Sequence, residues 1–248
     1  MLPIPPAGAV ESSRSGKWRG RRGNGQVSKL KGKAKKLYRQ QRQDAQHYLL
    51  VLLDLNGVLV HRCASKAPFS VRPGTVAFLR ALSTNPSVVV GFCTSMAWPN
   101  ARRAINSIRE TVEQERDAAA NEVLRRAPIF AGDAYHFRND VGLPLLPLRV
   151  PTLEPWRMLR NLAEVWQDPR ARGHGAASTI LCDDTDGKCP LTPENVCLVP
   201  SWDGSAEDAD VLGSLAGHLH AAAEAQKQGG ESADVREWLQ SHRGSLCL

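Results

Sequence analysis

The chain reads as an α/β protein with a doubly wound parallel sheet, and three observations predict that fold. Its most apolar stretch, Tyr48-Leu-Leu-Val-Leu-Leu-Asp54, is continuous rather than alternating, as in a strand covered on both faces. Similar short runs recur after segments of helical periodicity. Carboxylates and hydroxyls stand where those runs stop: Asp54, Thr94, and Asp183 with Asp184.

The elements follow in order. Pro73-Gly74 precedes Val76, Phe78, Leu79 and Leu82, an amphipathic helix. A second buried strand runs from Ser87 to Phe92, with Val88-Val89-Val90 at its centre, and leads into Cys93-Thr94-Ser95. Between residues 99 and 126, Ala101, Ile105, Ile108 and Val112 recur at helical spacing among charges. Pro128-Ile-Phe130 suggests a third strand, and the Pro- and Gly-rich residues 131–151 an irregular segment. Trp156, Leu159, Leu162, Val165 and Trp166 form a further helical face. Ser178-Thr-Ile-Leu-Cys182 and residues 196–199 complete the strands. Val211, Leu212, Leu215 and Leu219 mark a late helix, and Val235, Trp238 and Leu239 a last one.

Charge divides the chain. The first 42 residues hold twelve Lys/Arg against one acid, while the remainder carries twenty basic and twenty-four acidic residues. Residues 1–44 are too poor in apolar side chains to form a core and are expected to be a disordered basic tail, ahead of a folded domain over 45–225 and a C-terminal helix and tail over 226–248. The tail's clusters, Arg19-Gly20-Arg21-Arg22-Gly23 and Lys29 to Lys36, suit a nuclear-localisation signal or contacts with nucleic-acid phosphates, or equally a solvated tail. No run is long enough to span a bilayer, so no transmembrane segment is expected. The six cysteines, in no zinc-type spacing, read as free core thiols of a reducing compartment. A nuclear or cytoplasmic location fits better than a mitochondrial one, because the start is Gly-broken and Lys-rich.

In an open parallel sheet, ligands bind beyond the carboxyl ends of the strands. Asp54, Thr94, Asp183 and Asp184 all fall there. Carboxylates at neighbouring strand ends repel one another and need a cation, and an all-oxygen donor set favours Mg²⁺. A rival reading exists for the first of these segments. Leu55-Asn56-Gly57-Val58 between apolar runs is also a strong hairpin signal. His61, His136 and His174 are isolated and read as surface or packing residues, and Trp156 and Trp166 as core.

These same residues carry a family resemblance. Asp54-Leu-Asn-Gly-Val-Leu-Val60 resembles the first motif of haloacid dehalogenase-type phosphatases. Val71-Arg-Pro-Gly74 followed by Phe78-Leu79 is similar to the branch of RNA polymerase C-terminal-domain phosphatases and NLI-interacting-factor-like domains. Phe92-Cys-Thr-Ser95 resembles the second motif, and Ile180-Leu-Cys-Asp-Asp-Thr185 the fourth. The resemblance spans residues 48 to about 222 and implies a Rossmann-like domain without a large cap. It implies Asp54 as the nucleophile that accepts a phosphoryl group. Asp54, the Asn56 backbone carbonyl, Asp183 and Asp184 would hold Mg²⁺, and Thr94, Ser95 and a cation would hold phosphate. Arg160-Asn-Leu-Ala-Glu-Val-Trp166 resembles the third motif and nominates Arg160 for that cation, with Arg157 and Lys188 as alternatives, or with both arginines on a solvated helix face.

Asn56 departs from the pattern, since the family places an acid/base Asp there. The implied activity is a weak phosphatase acting on phosphoserine or phosphothreonine in a protein or peptide. A pseudophosphatase that binds partners, in one version resembling a subunit of the mitochondrial import machinery, and an RNA-associated protein led by its basic tail are the competing expectations.

Overall fold

The computed structural model describes residues 49–63, 69–139, 152, 157–205, 208 and 210–242. The expected basic tail, the irregular residues 140–151, Trp156 and Cys247 lie outside the described residues.

A five-stranded parallel sheet forms the centre. Its strands are β1 (Leu49–Leu53), β4 (Val88–Thr94), β5 (Ile129–Ala131), β8 (Thr179–Asp183) and β9 (Val196–Leu198), in the spatial order β5-β4-β1-β8-β9. Two short antiparallel hairpins stand apart from it: β2 (Val60–Arg62) with β3 (Phe69–Val71), and β6 (His136–Arg138) with β7 (Met158–Arg160). The expected parallel α/β architecture is therefore present, with no large cap among the described residues.

The continuous apolar run of β1 has a direct cause. Leu49, Val51 and Leu53 point to one face of the sheet and Leu50 and Leu52 to the other, and all five are buried. The first face packs on helices α1 (Thr75–Thr84), α2 (Trp98–Gln114), α3 (Ala118–Arg126), α5 (Val211–Gly229) and α6 (Val235–His242). The second is covered by the short helix α4 (Leu162–Gln167) and a following turn of 3₁₀ helix. Cys93, Cys182, Cys189 and Cys197 are buried free thiols, as the sequence suggests.

Two helical expectations need correction. The periodic stretch 99–126 is two helices, because Arg116 takes a left-handed φ of 57° and Asp117 caps α3 through a bond from the Ala120 N–H. The face expected from Trp156 to Trp166 is a strand and a one-and-a-half-turn helix. Met158–Arg160 pairs with His136–Arg138 in a hairpin, and only Leu162–Gln167 is helical. The segment after Ala131 is accordingly not wholly irregular, since β6 lies in it.

The hairpin reading of Asn56-Gly57 is also set aside. β1 pairs in parallel with β4 and β8, and Asn-Gly instead shapes a tight loop that returns the chain to β2. That loop is fastened by Arg72, the Arg of the Arg-Pro-Gly segment. Its buried guanidinium donates to Asp208 through Nε (2.7 Å) and Nη2 (2.8 Å), and to the carbonyls of Val58 and Pro200. One side chain thus ties together three loops far apart in sequence. Removing one member of a buried ion pair leaves the other charge uncompensated. Arg72→Met should cost about 3 kcal/mol, read as a lowered urea midpoint.

Candidate active site

The parallel registers decide what meets at the carboxyl edge of the sheet. Leu53 lies opposite Phe92 on one side and Cys182 on the other. Asp54 is therefore level with Asp183, and Thr94 stands one residue further out. The strand order also changes direction at β1, with later strands added on both sides, which is where open α/β sheets form their ligand crevice.

Asp54 and Asp183 are both buried, and a buried carboxylate needs compensation. Arg160 supplies most of it. Its Nη2 lies 2.8 Å from Asp54 Oδ2, and its Nε donates to Asp183 Oδ2. Lys188, also buried, places Nζ 3.7 Å from Asp54 Oδ2 and 3.9 Å from Asp183 Oδ1. Backbone donors complete the set: Leu55 N–H to Asp54 Oδ1 at 2.8 Å, and Thr185 N–H to Asp183 Oδ1 at 3.0 Å.

Arg160 is fully buried on β7, not on a solvated helix face, which corrects that alternative. Both Arg160 and Lys188 approach Asp54, and the Arg160 N–H donates to the Lys188 carbonyl at 2.8 Å, so each fixes the other. Arg157, the other candidate, accepts the Asn139 N–H through its carbonyl.

The two carboxylates differ electrostatically. Burial raises the Asp54 pKa, and Arg160 and Lys188 only partly offset it while the Asp183 charge adds to it. For Asp183 burial acts in the same sense, but the attraction of Arg160 and then Lys188 wins and the pKa is lowered.

His136 is not an isolated packing residue. Its Nδ1 bonds the Gly132 carbonyl at 2.9 Å, which makes that nitrogen the donor, and its Nε2 then accepts from Arg160 Nη1 at 3.1 Å. No local motif announces this contact, because 24 residues separate the pair. Burial, then the Arg160 charge, push the His136 pKa down to about 3. The ring stays neutral and keeps its acceptor.

Asp184 is half-buried and accepts from Ser201 Oγ at 2.6 Å and from Thr185 Oγ1 at 3.0 Å. One oxygen each from Asp54, Asp183 and Asp184 lie within 4.8 Å of one another, the size and chemistry of a hard-cation site. Gly57 is required beside it: its φ is 85°, and a Cβ there would fall 1.9 Å from Asp184 Oδ2. Thr94 is buried, and its Oγ1 accepts the Met96 N–H at 3.4 Å, leaving the hydroxyl proton to donate elsewhere. Ser95 is half-buried beside it, and Asn56 is exposed.

Two buried histidines set a pH dependence of stability. His136 is lowered to about 3, and His174 to about 4 by burial and then by Arg172. A histidine whose folded pKa is depressed stabilises the fold above its unfolded value, near 6.5, and that contribution is lost as pH falls. Between pH 6.5 and about 5, the unfolding free energy should therefore drop by up to about 1.4 kcal/mol per pH unit for each ring. His174→Gln should flatten this slope in urea titrations repeated at several pH values.

Searching curated proteins returned no match to this chain. A family model, NLI interacting factor-like phosphatase, matches residues 49–230, which run from β1 past the end of α5 and contain every residue of the acidic cluster. With the motifs in order on a sheet of the expected topology, the chain belongs to the NLI interacting factor-like phosphatase family.

Proposed function

We propose that this phosphatase-like domain hydrolyses phosphoserine or phosphothreonine in proteins, using Asp54 as nucleophile and Mg²⁺ as cofactor, at a rate limited by Asn56. The observation that carries the reading is the placing of Asp54 between two buried cations, within reach of two further carboxylates. Asp54, Asp183, Asp184 and the Asn56 carbonyl would hold the metal, which when bound supplies positive charge to carboxylates and phosphoryl oxygens alike.

The protein's own groups then have distinct tasks. An Asp54 oxygen attacks phosphorus, and the bond from phosphorus to the serine or threonine oxygen breaks, its electron pair leaving with that oxygen. Arg160 restrains the attacking carboxylate, and the Thr94 and Ser95 hydroxyls donate to phosphoryl oxygens. Water next attacks phosphorus, the bond to Asp54 breaks, and inorganic phosphate leaves. Both steps need a proton moved at the leaving or entering oxygen, and the Asn56 amide cannot move one. Positioned acid–base groups contribute on the order of 10²–10⁴-fold, so poor leaving groups suffer most. The open approach, without a large cap among the described residues, suits an extended peptide.

The second reading, a pseudophosphatase that binds phosphorylated partners without turnover, is favoured by Asn56 alone. Association with nucleic acid through the basic tail and a nuclear or cytoplasmic location remain proposals from the charge pattern.

Hydrolysis of an activated aryl phosphate with Mg²⁺ separates these readings, because its leaving oxygen needs little protonation. The native chain should turn it over and Asp54→Asn should not, whereas native inactivity alongside an active Asn56→Asp variant would establish the binding role. Asn56→Asp should raise turnover of a phosphoserine peptide by roughly 10²-fold or more while changing the aryl ester far less. Gly57→Ala, which drives a methyl into Asp184, should raise the Mg²⁺ concentration needed for half-maximal activity.

A further inference from the structure

At the opposite, amino end of the sheet, β4 has an edge that β5 does not reach. β5 pairs only with Phe92, Cys93 and Thr94. The reason is chemical. The Phe92 N–H donates to the Pro128 carbonyl, so even-numbered residues of β4 turn their backbone groups toward β5. Extending the ladder one step would need a donor at residue 128, and proline has none. The Val90 N–H and C=O therefore face outward with no hydrogen-bond partner among the described residues. The Val88 carbonyl does too, while the Val88 N–H is taken by Asn85 O at 3.0 Å.

This edge is the floor of a cavity of about 960 Å³. Its two walls differ. One is built from α1 and α3, with Leu82, Val123 and, at the helix end, Arg126. The other is the 3₁₀ turn after α4, with Arg170 and Arg172. Arg126 shares Glu122 with Arg125, and Asp168 holds Arg170, so three arginines line the cavity against one acid, Glu122. The exposed Arg172, held in a left-handed turn, shows no acidic partner among the described residues.

We propose that this groove docks an acidic, extended peptide segment of a partner protein, added as a strand to the free edge of β4. Side chains of an added strand alternate between the two walls. Apolar residues would meet Leu82 and Val123, and carboxylates would meet Arg170 and Arg172. The backbone supplies affinity through the Val88 and Val90 groups, and the arginines choose the sign of the charge. The site is independent of the chemistry at Asp54, at the far end of β4, and would hold a substrate or partner protein by a segment remote from any phosphorylated residue.

The test uses the full chain and a labelled peptide in which Glu alternates with Val, followed by fluorescence anisotropy. Binding should be saturable, and a Lys/Val peptide of the same length should not bind. Arg126→Glu with Arg172→Glu should weaken it about tenfold or more while leaving aryl phosphate hydrolysis unchanged, since neither residue is near Asp54. N-methylation of alternate peptide amides should abolish it in one of the two registers, and hydrogen exchange at the Val90 amide should slow when the native peptide is bound. Equal binding of both peptides, indifference to the charge reversals, or unchanged exchange at Val90 would overturn the proposal. So would preferential binding of a single-stranded oligonucleotide over the acidic peptide. Loss of phosphatase activity in the native chain would bear on Asp54 alone and not on this groove.

Discussion

Everything at the candidate active site depends on the Arg160 guanidinium lying between two buried carboxylates. Without it, Asp54 and Asp183 would face each other at the ends of adjacent strands with only one ammonium near them. The cation is itself expensive to bury, and the surrounding structure is arranged to hold it. β7 carries it, β6 pairs with β7 and brings His136, and the Lys188 loop accepts its backbone N–H. The small β6–β7 hairpin, which is not part of the main sheet, is thus a support for one side chain. A neutral histidine is suited to the task because its second nitrogen accepts, where a protonated ring would repel the arginine.

Much of the fold was legible because the central strands are buried on both faces. That constraint writes itself as uninterrupted Leu and Val, and the residues ending each run then identify the site. Asp54, Thr94, Asp183 and Asp184 stand at strand ends in the structure as their positions suggested. Periodicity failed where elements are short. Three residues of strand, Met158–Arg160, carry no resolvable period, and Leu159 coincides with the helical spacing of Leu162 and Val165. The break at Arg116 was hidden for a related reason: the apolar stripe resumes at Ala120 and Leu124 after a turn that exposes no apolar residue. His136 was legible only as a histidine, since its meaning lies in a pairing that the hairpin creates.

Arg160 and Asn56 bear differently on the charge of the candidate site. Arg160 bonds Asp183 and His136 and sets a further nitrogen 2.8 Å from Asp54, contacts that a single ammonium could not make together. Asn56 removes one negative charge from the mouth of the site. Arg160 thus adds contacts without adding charge relative to another cation, whereas Asn56 leaves the candidate site less negative than an aspartate would.

The proline that stops the β4 ladder also bears on how copies of this chain meet one another. A bare strand edge is self-complementary in its backbone and invites a second copy to pair with it. Here any such pairing would bring the arginines of one molecule against the arginines of the other, across a narrow gap. If the groove docks as proposed, the arginines that draw an acidic strand to this edge would also disfavour a second copy there, so recognition and resistance to self-pairing would rest on the same few side chains.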